Sequence, residues 1–182
     1  ENIAWIKKIS AIAQDKVLNS IPVFMGGDHA LSSGSVSGIS AFAKRANRPL
    51  FVLWLDAHPD FHTLKSSLSG NLHGTPVAYF TGQLGFEKFP HLEAPIPYEN
   101  ILMLGLRSVD SFEKHTLQEL SISTIDMRYI DEFGIKDPLG KFLAHVKDVN
   151  GMLHVSLDVD FLDPIIAPAV GTTVPGGATI RE

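Results

Sequence analysis

Apolar and polar positions along the chain alternate between two periods. Ile3, Ile6, Ile9, Ile12, Ala13 and Val17 recur at helical spacing through residue 18, with Lys7, Lys8, Gln14 and Asp15 on the other side, which predicts an amphipathic helix. Ile21 to Met25 is a short apolar run broken by Gly26-Gly27, read as a strand that ends in a tight turn carrying Asp28 and His29. The small-residue segment from Leu31 to Ala46 predicts a helix in which Gly34 and Gly38 permit close packing. Leu50 to Leu55 is a buried strand, Gly74 to Thr81 a helix, and residues 83–99, with three prolines, an irregular surface excursion. Ile101 to Leu106 predicts a strand and Ser111 to Leu120 a helix capped by Ser111. Ile122 to Met127 predicts a strand, Asp137 to Val149 a helix with Pro138 in its first turn, and Met152 to Leu157 a last strand. The strands are nearly continuous apolar runs alternating with helices. That pattern predicts an α/β, three-layer fold: a mainly parallel central sheet with helices on both faces.

The chain is organised around Asp56-Ala57-His58-Pro59-Asp60, directly after the strand at 50–55. In an extended chain, side chains at i, i+2 and i+4 leave one face about 6.8 Å apart per pair, which would let Asp56, His58 and Asp60 converge on one site. A polar loop of about sixteen residues follows and runs through Ser69-Gly70-Asn71-Leu72-His73; structureless loops of that length are often functional. Asp158-Val159-Asp160 ends the last strand, and a second long loop, rich in Pro and Gly, occupies residues 161–177. In parallel sheets ligands gather outside the carboxyl ends of the strands, where all these clusters fall.

Composition narrows the function classes. With 182 residues, 45% of them apolar and 19% charged, the chain suits one globular domain rather than disorder. Fifteen basic against twenty acidic residues give a net charge of −5. No basic run interleaved with aromatics is present, so nucleic acid is a poor partner; the mild acidity suits a cationic ligand. Cysteine is absent, which excludes disulfides and thiolate metal sites and fits a cytoplasmic location. No apolar run reaches the roughly 18 residues that span a bilayer. Glu1 opens inside a predicted helix and the chain stops at Glu182 without a closing strand, so the reading is of an excerpt from a longer polypeptide.

His29, Asp56, His58, Asp60, Asp158 and Asp160 come from the ends of three predicted strands. Singly, each has a plainer explanation: an Asp after a strand forms turns or caps helices, and a loop His is commonly hydrogen-bonded. Together, four carboxylates without cations would repel one another or take up protons. Two divalent cations neutralise them, whereas one leaves about two charges uncompensated. Carboxylates with a minority of imidazole and no thiolate suit Mn²⁺, with Mg²⁺, Fe²⁺, Ni²⁺, Co²⁺ and Zn²⁺ as alternative occupants. A paired site about 3.5–4 Å across brings a bridging water towards neutral pKa, which implies metal-assisted hydrolysis.

These segments resemble the ureohydrolases (arginase, agmatinase and relatives): Gly26-Gly27-Asp28-His29, Asp56-Ala57-His58-Pro59-Asp60, and Ser156-Leu157-Asp158-Val159-Asp160 followed by Asp163-Pro164. The resemblance runs through nearly the whole chain. It implies an α/β core, two Mn²⁺ per subunit, and hydrolysis of a guanidinium to urea and an amine. Ser69-Gly70-Asn71-Leu72-His73-Gly74 and Gly105-Leu106-Arg107-Ser108-Val109-Asp110 look most like the arginases within the family, which implies L-arginine as substrate. By that likeness His29, Asp56, Asp60 and Asp158 hold one manganese and Asp56, His58, Asp158 and Asp160 the other, with Asp56 and Asp158 bridging. Asp60 also hydrogen-bonds the bridging hydroxide. Ser69 and Asn71 bind the substrate α-carboxylate, Asp110 binds the α-amino group, and Thr172 matches a position near the guanidinium. His73 matches the proton-transfer histidine, and imidazole is the side chain suited to passing a proton near pH 7; a helix-capping role is its structural alternative.

Two departures stand out. His62 replaces the Asn common in arginases, keeping a donor for the substrate but altering the selectivity determinant. The family's guanidinium-binding glutamate falls past residue 182, and poor activity is expected from this piece alone. Family likeness further implies a trimer or hexamer. The competing readings are an agmatinase or other guanidino-acid hydrolase, a single-zinc deacetylase-like enzyme, and a non-catalytic homologue. Substrate ranking separates the first, metal stoichiometry the second, and an Asp158 substitution the third.

Overall fold

The computed structural model describes residues 2–182. Two units are present, one formed by the chain up to Leu50 with Asp60–Pro97, the other by Phe51–Pro59 with Tyr98–Glu182.

The first unit is built on α1 (Asn2–Lys16) and α2 (Leu31–Arg45). α1 buries Ile6 and Ala13. α2 meets it through glycine: a Cβ at Gly34 would lie 2.7 Å from the Ile9 Cβ, and one at Gly38 would lie 2.5 Å from the Ser10 carbonyl oxygen. The small residues of this segment thus let two backbones approach. The predicted strand at 21–25 does not form. None of the described strands pairs with it, and Ile21, Val23 and Met25 are exposed; an extended run without a hydrogen-bonding neighbour is not a strand.

The helix predicted from Gly74 is shorter, α3 (Pro76–Phe80), preceded by a 3₁₀ turn at Leu72–Gly74. Proline disfavours helical geometry at the residue before it, and Thr75 accordingly breaks away at φ −126°. The proline-rich excursion is pinned to this unit by polar contacts. The Ser40 hydroxyl donates to the Ala94 carbonyl at 2.5 Å, Lys44 Nζ to the Glu93 carbonyl at 2.7 Å, and the Tyr79 hydroxyl to the Pro90 carbonyl at 2.7 Å. The Tyr79 ring also packs beside Phe86 and Phe89, with centroids 5.5 and 5.2 Å away.

The second unit holds the sheet. Its strands are β1 (Leu50–Leu55), which enters the unit at Phe51, β2 (Ile101–Leu106), β3 (Ser123–Asp126) and β4 (Met152–Leu157), in the order β3-β2-β1-β4. β1 pairs in parallel with β2, Val52 opposite Ile101, and β2 in parallel with β3. Leu53, Leu102, Leu104, Phe161 and Ala178 form a buried cluster. Gly105 interrupts the β2 register at φ +94°, and the Phe161 ring fills the space its Cβ would take.

Helices α4 (Ser111–Glu119), α5 (Met127–Phe133) and α6 (Lys136–Asp148) complete this unit. The cap of α4 is Asp110, not Ser111: its carboxylate accepts from the Glu113 amide at 2.8 Å. α5 was not expected. The strand predicted to Met127 stops at Asp126, whose carboxylate accepts from the Tyr129 amide at 2.8 Å and starts a helix without any loop. α6 packs edge-on to Phe51 through Phe142 and His145. Among the described residues no helix is long and apolar enough to cross a membrane.

Candidate metal centre

The twelve sequence-predicted site residues divide between the units. His29, Asp60, His62, Ser69, Asn71 and His73 belong to the first, and Asp56, His58, Asp110, Asp158, Asp160 and Thr172 to the second.

In the second unit β1 delivers Asp56 to the sheet's carboxyl end, where its amide donates to the Leu104 carbonyl at 3.1 Å. Asp56 and His58 do meet, by a different route from the one expected. The chain bends after Leu55 instead of continuing extended, and the Asp56 carboxylate accepts from the His58 amide at 2.7 Å, an Asx turn. β4 ends at Leu157, and the Asp158 amide then donates to the Leu55 carbonyl at 2.9 Å. The Asp158 carboxylate in turn accepts from the Asp160 amide at 3.0 Å, opening the 3₁₀ turn Val159–Phe161. Asp160 is thereby aimed back at Asp56 and His58.

His58 Nδ1 lies 3.1 Å from Asp160 Oδ2 and 3.5 Å from Asp56 Oδ1, with Asp56 only 1% and Asp160 3% exposed. The Asp160 carboxylate also accepts from the Ala57 amide at 3.1 Å and the Thr172 hydroxyl at 3.0 Å. Hydrogen bonds donated to Asp160 and Asp56 raise the His58 pKa to about 10, against the desolvation that would lower it. Burial by itself would raise Asp160, but the His58 and Ala57 donors outweigh it and hold the carboxyl at about 2. A proton on His58 therefore answers the two buried carboxylates where a cation would. One ligand atom from each of Asp56, His58 and Asp160 falls within 4.8 Å of the others, and this hard carboxylate–imidazole donor set without thiolate fits a divalent cation.

In the first unit His29 Nδ1 lies 3.1 Å from Asp60 Oδ2, both side chains 7% exposed. Asp60 adopts φ +51°, a conformation Asp tolerates better than most residues, while its carbonyl accepts from the Val77 amide at 3.1 Å. Asp28 accepts from the Ala30 amide at 3.0 Å through one oxygen and stands 3.8 Å from His73 Nδ1 through the other. The Ser69 hydroxyl accepts from the Asn71 amide at 3.2 Å, which ties the two residues into one turn. His62 Nδ1 lies 3.1 Å from the Ser66 hydroxyl, and its amide donates to the Gly74 carbonyl at 3.0 Å.

Arg107 had no role assigned by the sequence reading, although it stands in the quoted Gly105-Leu106-Arg107 segment. Its Nη2 donates to the Asp160 carbonyl at 2.6 Å. The signal available was a lone arginine immediately after a fully apolar strand.

The model of the arginase family matches residues 2–182. The arginase of Brucella melitensis is 58% identical over 181 residues, covering 99% of this chain and 59% of that protein. Among solved structures, the arginase of Bacillus caldovelox superposes with a TM-score of 0.89 at 34% identity, over 99% of this chain and 60% of that one. The arginase of Entamoeba histolytica, solved with L-ornithine, gives a TM-score of 0.84 at 29% identity, over 99% of this chain and 60% of that one. The chain thus spans about three-fifths of the length of these relatives. Its α/β fold is the arginase-type fold, and the chain belongs to the arginase family.

Proposed function

We propose that this chain carries the metal and substrate machinery of an enzyme that hydrolyses L-arginine to L-ornithine and urea. The observation that carries the reading is the Asp56–His58–Asp160 cluster, two buried carboxylates sharing one imidazole. Membership of the arginase family and the solved Entamoeba histolytica relative with its L-ornithine support it. The proposed ligands of two Mn²⁺ are His29, Asp56, His58, Asp60, Asp158 and Asp160. When bound, the two cations supply Lewis acidity and bring a water's pKa towards neutrality.

The remaining steps fall to the chain's own groups. Asp60 accepts the hydrogen bond that orients the attacking water. Ser69 and Asn71, held in one turn, bind the α-carboxylate with His62 beside that end, and Asp110 binds the α-amino group. Thr172 lies at the guanidinium end. As water adds to the guanidinium carbon, the C–N bond to the leaving amine breaks and His73 supplies the proton that amine needs. Such a proton transfer is worth about 10²–10⁴-fold. On family likeness and its cysteine-free composition, the protein is taken as a cytoplasmic homo-oligomer, a trimer or hexamer.

The test is urea release by the full-length polypeptide with Mn²⁺ added, from arginine, agmatine and guanidinobutyrate in turn. Arginine is expected to rank first, and chelation to abolish release. Preference for agmatine overturns the substrate; full activity and metal content in Asp158→Ala overturns the centre.

A further inference from the structure

Arg107 directs its whole guanidinium at backbone. Nε and Nη2 donate to the Val174 carbonyl at 3.0 and 2.8 Å, and Nη2 also reaches the carbonyls of Asp160 at 2.6 Å and Leu162 at 3.4 Å. Nη1 donates to the carbonyls of Gly105 at 3.2 Å and Phe161 at 3.3 Å. The loop makes room for it, since a Cβ at Gly177 would stand 2.6 Å from Nη2. An arginine spent wholly on carbonyl oxygens anchors chain segments to one another.

We propose that Arg107 is a positioning residue for the metal centre, clamping the Asp160 turn to the 174–177 loop so that the Asp160 carboxylate is presented in one place. This rests on the reading of Asp56, His58 and Asp160 as metal ligands. Asp160 is then fixed at both ends. Arg107 holds its carbonyl, while the Ala57 amide and the Thr172 hydroxyl hold its carboxylate. The same clamp reaches Val174, two residues beyond Thr172, so the loop that supplies this hydroxyl is set by the same side chain. Lysine keeps the charge but lacks the planar fork, and one ammonium cannot reproduce donors spread over Gly105, Asp160 and Val174.

The experiment compares wild type, Arg107→Lys and Arg107→Met in the full-length protein. Mn²⁺ binding is followed by the loss of the free-ion electron paramagnetic resonance signal, and thermal unfolding is recorded metal-free and Mn²⁺-loaded. Partners behind a ligand typically tune metal affinity by about 10–100-fold. A loss of that size is expected in both variants, with Arg107→Lys unfolding metal-free close to wild type. Wild-type affinity in Arg107→Lys overturns the proposal, as does a fall in metal-free stability without a change in affinity. Should Arg107→Met not fold, Arg107→Lys decides. Wild type that binds no Mn²⁺ instead brings down the proposed function, and this inference with it.

Discussion

The Thr172 hydroxyl donates to Asp160 Oδ2 at 3.0 Å, twelve residues upstream in the chain. Family likeness would put Thr172 beside the guanidinium; the structure gives it a carboxylate to orient. The two roles separate in a mutant pair. Thr172→Val is expected to weaken Mn²⁺ binding about tenfold, the low end of what partners behind a ligand contribute, and Thr172→Ser to restore it. A titration of Mn²⁺ against each variant is decisive: an unmoved isotherm with a raised KM would assign Thr172 to the substrate alone.

The sequence disclosed the sheet and part of the candidate centre because both are written in local pattern. β1 and β2 are apolar runs, β4 sets four apolar residues around His154 and Ser156, and Asp56 with His58 stands where β1 stops. What it could not disclose depends on distant partners. Residues 21–25 have the composition of a strand, but pairing is decided by a neighbour that local pattern does not name. α5 was hidden because Asp126 ends one element and caps the next with nothing between. Asp56 and His58 come together through an Asx turn where the spacing predicts a pleat. Arg107 was invisible for a related reason: carbonyl oxygens 53 to 67 residues away have no sequence signature.

Gly38 and Gly140 both lie in helices but are expected to answer alanine with opposite signs. At Gly38 a Cβ would meet the Ser10 carbonyl oxygen at 2.5 Å and the Ala13 Cβ at 2.7 Å. α1 must move away, at a cost of about 1–3 kcal/mol for overpacking, more than the helix propensity returned. At Gly140, in α6, nothing lies within 4 Å, so alanine gains about 0.4–1 kcal/mol from a less disordered unfolded chain. Denaturant unfolding of Gly38→Ala and Gly140→Ala checks both; a stabilised Gly38→Ala would mean that the α1–α2 approach is looser than described.

Asp110 carries a structural duty that obscures any substrate duty. Its carboxylate accepts from the Glu113 amide at 2.8 Å and caps α4, so Asp110→Ala is expected to cost about 0.5–2 kcal/mol whatever the enzyme binds. Asn caps about as well as Asp but lacks the charge. Asp110→Asn should therefore unfold like wild type and, on the proposed function, raise the KM for arginine while sparing that for guanidinobutyrate, which has no amino group. Equal KM changes for both substrates would remove Asp110 from recognition of the α-amino group.

Tyr79 supplies a pH signature that needs no metal. It is buried, its hydroxyl donates to the Pro90 carbonyl at 2.7 Å, and desolvation pushes its pKa up from 10.0 to about 12. The folded protein therefore binds this proton more tightly than the unfolded chain does. The stability so gained is present in full below pH 10 and is lost as pH rises towards 12. Tyr79→Phe should cost about 0.5–1.5 kcal/mol near neutrality through the lost hydrogen bond. Between pH 10 and 12, however, it should lose less stability than wild type. Its absorbance titration at alkaline pH should also lack the late phenolate step, and a wild-type protein without such a step would show that the hydroxyl is open to water.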